Sequence, residues 1–468
     1  MRSSTRRKTR AVAALTATAA AALAACSPVS SSLDAHPGQS DDWSSTYSDL
    51  HNSLTSTGES PEDPTLKWSR EIGAPLPGPA TFSPLGDLQQ ASLSDAGCNV
   101  FALELEDGRK SWCNRQAIGG PRISGQINKF GDSYWPILSG AAAISGEGEF
   151  RYGTTPPGAA TTARQLSGQL VLTVSMFGQA RIYGTQHGTP RGAPLDLAGP
   201  VPDVAPDYGL SWCETGSRGC PAPAPAAVTD DGSTFFITVW TPGADEPDLV
   251  AVRVNSRERA NPDEHVPATD PQAMIEMTEL WRTPLPHGRT GAPVVLSEDE
   301  DVAYVTGPEG ISAFSTEDGS ERWHHTTGVE TDFAPAVSAD GTIVLGGRTG
   351  AFYRGEDDAA TDEITREALT GSAVLALHDD GDSASEVWRD DRAASLTAPV
   401  LSANGNVLLA SREGRNGMAI RALGADGEEL WSKPVPGAQG PVAGLTLADS
   451  GAIALSLSIG RVYLFADD

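Results

Sequence analysis

AFSTEDGSERW, residues 313–323, runs from an apolar strand through an Asp-Gly pair to a tryptophan. Nearly the same phrase stands at 102–112 (ALELEDGRKSW), at 422–431 (ALGADGEELW) and, more loosely, at 376–388 (ALHDDGDSASEVW). Asp-Gly makes a tight turn because glycine takes the positive φ that such turns demand. The phrase therefore reads as a hairpin whose returning strand carries the tryptophan. Ahead of three of the copies stand Pro-led apolar stretches split by a second turn: APVVLSEDEDVAYVTG at 292–307, APAVSADGTIVLGG at 334–347 and APVLSANGNVLLAS at 398–411. Two hairpins make a four-stranded antiparallel unit of roughly 40–45 residues, the period of a β-propeller blade.

Tryptophan spacing follows that period: 44 residues from Trp68 to Trp112, 42 from Trp281 to Trp323 and 43 from Trp388 to Trp431. The 65 residues from Trp323 to Trp388 contain the acidic insertion RGEDDAATDEITREALTG, 354–371. Between Trp112 and Trp281 the phrase decays, but strand-like stretches persist at 133–153, 170–184 and 224–254. Blades are therefore expected to end near residues 112, 152, 197, 281, 323, 388 and 431. The tail PVAGLTLADSGAIALSLSIGRVYLFA, 441–466, supplies three strands and TLKWS, 65–69, a fourth. Joined, they close the ring and remove an exposed edge. The expectation is an all-β, eight-bladed propeller, with seven blades as the alternative. The 50 glycines and 34 prolines of the 468-residue chain suit so turn-rich a fold.

The first residues have another purpose. Arg2, Arg6, Arg7, Lys8 and Arg10 precede an apolar stretch from Ala11 to Ala25, the pattern of a secretory signal and too short for a spanning helix. It ends in Leu23-Ala24-Ala25-Cys26, similar to the bacterial lipobox, in which the cysteine is diacylated and becomes the mature N-terminus. Two acyl chains would anchor the protein on the outer side of the membrane without crossing it. The expected domains are a signal peptide at 1–25, lipidated Cys26 with a flexible tether to residue 64, and the propeller at 65–468. Within the tether Trp43, Tyr47, Leu50 and Leu54 fall at helical spacing, suggesting a short helix packed on the main domain or a docking segment for a partner. Trp43, as a tether residue, is expected to add nothing to stability.

The chain has 33 basic and 61 acidic residues, and loss of residues 1–25 moves its formal charge from −28 to −33. So negative a body repels phosphates, which excludes nucleic acid as a partner.

The A-x-x-x-x-D-G-x-x-x-W phrase resembles the tryptophan-docking repeat of pyrroloquinoline quinone (PQQ) type propellers. The resemblance covers about 65–466 and implies that Trp68, Trp112, Trp281, Trp323, Trp388 and Trp431 are structural, docking neighbouring blades. The family contains quinoprotein dehydrogenases and non-catalytic propellers. The dehydrogenases hold PQQ under an adjacent Cys-Cys disulfide and bind Ca²⁺ through acidic and amide groups. Here no two cysteines are adjacent and no C-x-x-C-H haem motif occurs, so neither PQQ nor calcium is expected.

Cys98, Cys113, Cys213 and Cys220 remain after lipidation, an even number in an exported chain, which suggests disulfides. CETGSRGC makes Cys213–Cys220 a natural pair. Ideal hairpin register places Cys98 opposite residue 117, so pairing with Cys113 requires a bulge or a neighbouring strand. No cysteine or histidine spacing matches a zinc motif. His324 and His325 are expected in a blade-to-blade connection.

The non-catalytic branch is similar to BamB-type lipoproteins. The function expected is a monomeric, lipid-anchored envelope scaffold that holds partner proteins through loops on its faces, 203–220 and 354–371 among them. A PQQ-dependent oxidoreductase and an extracytoplasmic sensor of a small ligand are the alternatives.

Overall fold

Across the outer hairpin of a blade, the repeat's alanine stands opposite its tryptophan. Ala102 pairs with Trp112, Ala313 with Trp323, Ala376 with Trp388 and Ala422 with Trp431. Ala251 pairs with Trp281, and Ala143 with Tyr152 in the same way. A β-bulge follows each of these alanines. Bulges bend a strand and raise its twist, and alanine leaves room for the large ring across the ladder.

The computed structural model describes residues 42–467 apart from 95–96, 118–123, 139, 155–156, 167–168, 206, 211–212, 214–219, 257–274, 287–290, 308–309, 329–332, 347–372, 392–393, 413–416 and 438–439. Cys26 and the acidic insertion 354–371 lie outside the described residues. Among the described residues the strands form eight antiparallel sheets, one per blade, with essentially no helix. Blades 1 to 7 span 81–114, 126–153, 160–196, 227–284, 295–326, 336–390 and 394–434. Within each blade the strands follow chain order from the axis outward. Blade 7 has a split inner strand: Ala394–Ser395 and Val400–Leu401 both pair with Val407–Arg412. The eight-blade reading and its expected blade ends therefore hold, and the seven-blade alternative falls.

Blade 8 joins both parts of the chain, in the order Thr65–Glu71, Arg461–Ala466, Ile453–Leu457, Val442–Leu447. Thr65 faces Ala466 and Glu71 faces Arg461, so the outer strand comes from residues some 400 positions away. This corner has no covalent turn. Instead the backbone N–H groups of Glu62 and Asp63 both donate to the Asp467 carboxylate.

Adjacent blades are docked by the repeat's own residues. Trp68, on the rim of blade 8, donates Nε1–H to Leu105 O of blade 1 at 2.8 Å. Trp281 reaches Thr316 O, Trp388 reaches Ala425 O, and Trp431 reaches Pro61 O. The rings of Trp68, Trp281 and Trp388 lie against the turn of the next blade: a Cβ placed on Gly108 would come within 2.6 Å of Trp68, and one on Gly427 within 2.7 Å of Trp388. Trp112 meets Gly148 and Tyr152 meets Gly188 in the same manner. Trp323 differs, donating to the Asp379 carboxylate. At Gly108, Gly319 and Gly427 the Asp-Gly turn thus receives the tryptophan ring of the blade before it. Trp68 and Trp323 are buried, while Trp112, Trp281, Trp388 and Trp431 are half-buried, since one ring face lies at the rim.

Cys98 pairs with Cys113, and Cys213 with Cys220, with Cα separations of 5.3 and 4.8 Å. The bulge needed for the first pair sits between Ala102 and Leu103. His324 and His325 are not in a connection; they lie inside the strand Glu321–Thr326, where His324 Nδ1 is 2.9 Å from Ser312 Oγ.

The docking geometry separates two substitutions of the same kind. Gly319 and Gly381 both have positive φ, 74° and 94°. A Cβ on Gly319 would lie 2.5 Å from Trp281 and 2.6 Å from Thr283 Oγ1, whereas one on Gly381 meets nothing within 4 Å. Gly381→Ala should cost about 1–2 kcal/mol of backbone strain. Gly319→Ala should lose about 1–3 kcal/mol more through the displaced indole. Thermal midpoints of the two variants test this, and equal losses would contradict ring-on-turn docking.

Candidate functional site at the propeller axis

Residues 42–60 are rich in Ser, Thr, Asp and Asn, and they form neither a helix nor a free tether. Such side chains bond to their own backbone and compete with helical hydrogen bonds. Ser44 and Ser45 Oγ donate to the carbonyls of Ser48 and Asp49, and the Asp49 carboxylate accepts the N–H and Oγ–H of Ser53. Ser48, Asn52 and Leu54 take φ of 77°, 62° and 56°, which no helix tolerates. The helical spacing of Trp43, Tyr47, Leu50 and Leu54 was therefore misleading as to conformation. As anchors they were well chosen: Trp43, Leu50 and Leu54 are buried, and Tyr47 is half-buried.

The segment circles the axis and bonds to every blade, its main-chain carbonyls meeting blades 1, 2 and 4 to 7 in chain order. Trp43 O accepts from Phe82 N–H of blade 1, and Ser44 O from Ile127 N–H of blade 2. Asn52 Oδ1 accepts from Arg164 Nη2 of blade 3. Leu50 O, His51 O, Ser53 O and Leu54 O accept from Val228, Leu296, Val337 and Leu401 of blades 4, 5, 6 and 7, at 2.8–3.0 Å. Ser56 Oγ donates to Leu447 O of blade 8. The axis is thus occupied by the chain's own N-terminal segment. Residues 42–60, expected to belong to the flexible tether at 26–64, are instead bonded into the propeller.

Arg164 is wholly buried beside this segment, and burial pulls its guanidinium down to about 10. On the other side of Asn52, His51 is 5 % exposed. Its Nε2 lies 3.0 Å from Glu300 Oε1 and 3.3 Å from Asp230 Oδ1. Burial alone would depress the imidazole, but the Glu300 hydrogen bond and the charges of Asp49, Asp230 and Glu300 outweigh it and push it up to about 8. Asp230 sits in the first turn of blade 4, and Glu300, at φ 61°, in the first turn of blade 5. The three side chains are the set, among the described residues, that could hold a metal ion. Sequence reading missed His51, since its carboxylate partners are 179 and 249 positions away.

The structure does not bring the cysteines or the docking tryptophans into this site. The cysteines form one disulfide on blade 1 and one packed against Met176 and Phe177 of blade 3, and the tryptophans stand on the rim. No two cysteines are adjacent in the sequence, and residues 43–58 lie along the axial position. Among the described residues no helix is long and apolar enough to cross a membrane.

Residues 263–451 match the family described as outer membrane protein assembly factor BamB. A curated relative, Protein Rv3035 of Mycobacterium tuberculosis, is 25% identical over 448 residues, covering 94% of this chain and 99% of that one. BamB from Moraxella catarrhalis aligns with a TM-score of 0.52 at 13% identity, covering 86% of this chain and all of its own. A europium-containing methanol dehydrogenase aligns with a TM-score of 0.57 at 12% identity, covering 93% and 99% of the two chains. At such identities the solved structures share the fold alone, and the fold is that of a PQQ-like β-propeller.

The axial position of Trp43 reverses the expectation for a tether residue. It is 1 % exposed, and its Nε1 has no partner among the described residues. Trp43→Ala should therefore cost about 3–5 kcal/mol, as for other buried large aromatics. Trp43→Phe should retain most of that stability, because no hydrogen bond is lost. Thermal denaturation followed by circular dichroism reads both, and an unchanged midpoint for Trp43→Ala would mean that the segment is not seated.

Proposed function

We propose that this PQQ-like β-propeller is an extracytoplasmic binding scaffold of the cell envelope, tethered through a lipid on Cys26 and without catalytic activity of its own. The observation that carries the reading is the filled axis. A segment bonded to every blade leaves the loops of the two faces as the surface on which a partner can dock. Rigid scaffolds commonly place binding specificity in such loops. The signal and lipobox pattern of residues 1–26, the two disulfides and the strong negative charge support an exported protein. The acidic surface favours partners with a basic face and a salt-sensitive encounter. The match to the BamB description adds support for protein binding, as that name concerns outer membrane protein assembly.

Cross-linking in intact cells followed by pull-down tests the scaffold role. A defined set of envelope proteins should be captured by the wild type and lost with Cys26→Ser, which should remain folded but leave the membrane. Addition of PQQ and Ca²⁺ to the purified chain should produce neither thermal stabilisation nor dye-linked dehydrogenase activity. Activity that appears with the quinone would overturn the reading in favour of an oxidoreductase.

A further inference from the structure

We propose that His51 Nε2, Asp230 Oδ1 and Glu300 Oε1 form a site for a divalent transition cation, with zinc(II) the best chemical match. The donors come from three separate pieces of chain: the axial segment and the first turns of blades 4 and 5. Nε2 is 3.0 Å from one carboxylate oxygen and 3.3 Å from the other, and all three atoms lie within 4.8 Å of one another. Zinc holds imidazole nitrogen and carboxylate oxygen at about 2.0–2.2 Å, so tetrahedral ligands around it stand about 3.3–3.5 Å apart. The observed gaps approach that edge length, and the side chains need only spread slightly to admit the ion.

Donor chemistry narrows the choice. Calcium takes oxygen ligands alone, in larger number, and magnesium keeps most of its waters. A buried imidazole with two carboxylates suits zinc and its first-row neighbours, and the two negative charges are cancelled by the cation. The His51 side chain is 7 % exposed and pinned by the axial segment, whereas that of Asp230 is 71 % exposed. A buried ligand thus stands behind a solvent-exposed one, which gives the ion an entry path and leaves a fourth position for water. On binding, the metal–nitrogen bond replaces the Nε2–H bond, and the hydrogen leaves to the buffer as a proton. The bound ion would staple residues 50–54 to blades 4 and 5.

Cobalt(II) added to the detergent-extracted full chain at mildly alkaline pH should give the visible bands of a tetrahedral site, and zinc(II) should displace them. Zinc should also slow hydrogen exchange in the peptide carrying residues 50–54. Asp230→Asn and Glu300→Gln should each weaken zinc binding by more than the roughly 10–100-fold typical of losing a group that merely supports a ligand. Asp299→Asn, an exposed neighbour on the same turn, should bind as the wild type does, and circular dichroism should show all three variants folded. Absence of cobalt bands and of zinc-dependent protection in the wild type would overturn the site and leave His51 as an ion-pair partner only. Equal zinc affinity in the wild type, Asp230→Asn and Glu300→Gln would likewise overturn it, placing the ion elsewhere on the acidic surface.

Discussion

The inner strand of every blade turns an unpaired edge toward one axis. A buried N–H left without an acceptor costs about 1–3 kcal/mol, so inner-edge groups shut off from water need acceptors. Here the filler is the N-terminal segment, whose carbonyls accept from blades 1, 2, 4, 5, 6 and 7 through the main chain. A regular helix would have spent those carbonyls on itself. An irregular path with positive φ at Ser48, Asn52 and Leu54 turns them outward, one after another, as the chain passes each blade.

The rim obeys a second constraint, that flat sheets must be held face to face around a closed circle. Indole rings against glycine turns meet it, with the Nε1–H fixed on a backbone carbonyl of the next blade. The two systems meet at blade 8. Trp431 of blade 7 finds no Asp-Gly turn there, because that corner is a junction between distant parts of the chain, and Pro61 O accepts its N–H instead. The residues that leave the axis therefore serve as the missing turn and then become the outer strand Thr65–Glu71. Axis, corner and closure are one continuous stretch, so the seating of residues 42–60 and the closing of the ring are mechanically coupled.

That coupling also bears on function. Fold relatives include both an assembly factor and a methanol dehydrogenase, so the architecture by itself decides between them no more than a barrel would. A segment carrying Trp43, Leu50 and Leu54 into the core, with His51 held between carboxylates of two blades, makes the axis a structural element of this protein.

Blade number, blade ends and ring closure were legible in the sequence because they rest on local chemistry. Asp-Gly turns, alternating apolar strands and a tryptophan at nearly fixed spacing each act within about ten residues, and the half-blade at each end of the chain could only be completed by the other. Residues 42–60 were misread for the opposite reason. Their Ser, Thr, Asp and Asn residues look like solvated linker, since the partners that bury them lie up to 407 positions away and share no pattern with them. His51 was invisible on the same account: its environment is built by two turns that are neighbours only once the ring has closed. Local periodicity determined the blades, whereas the filling of the axis was decided by tertiary structure, because only a closed ring creates the row of unpaired edges that the segment satisfies.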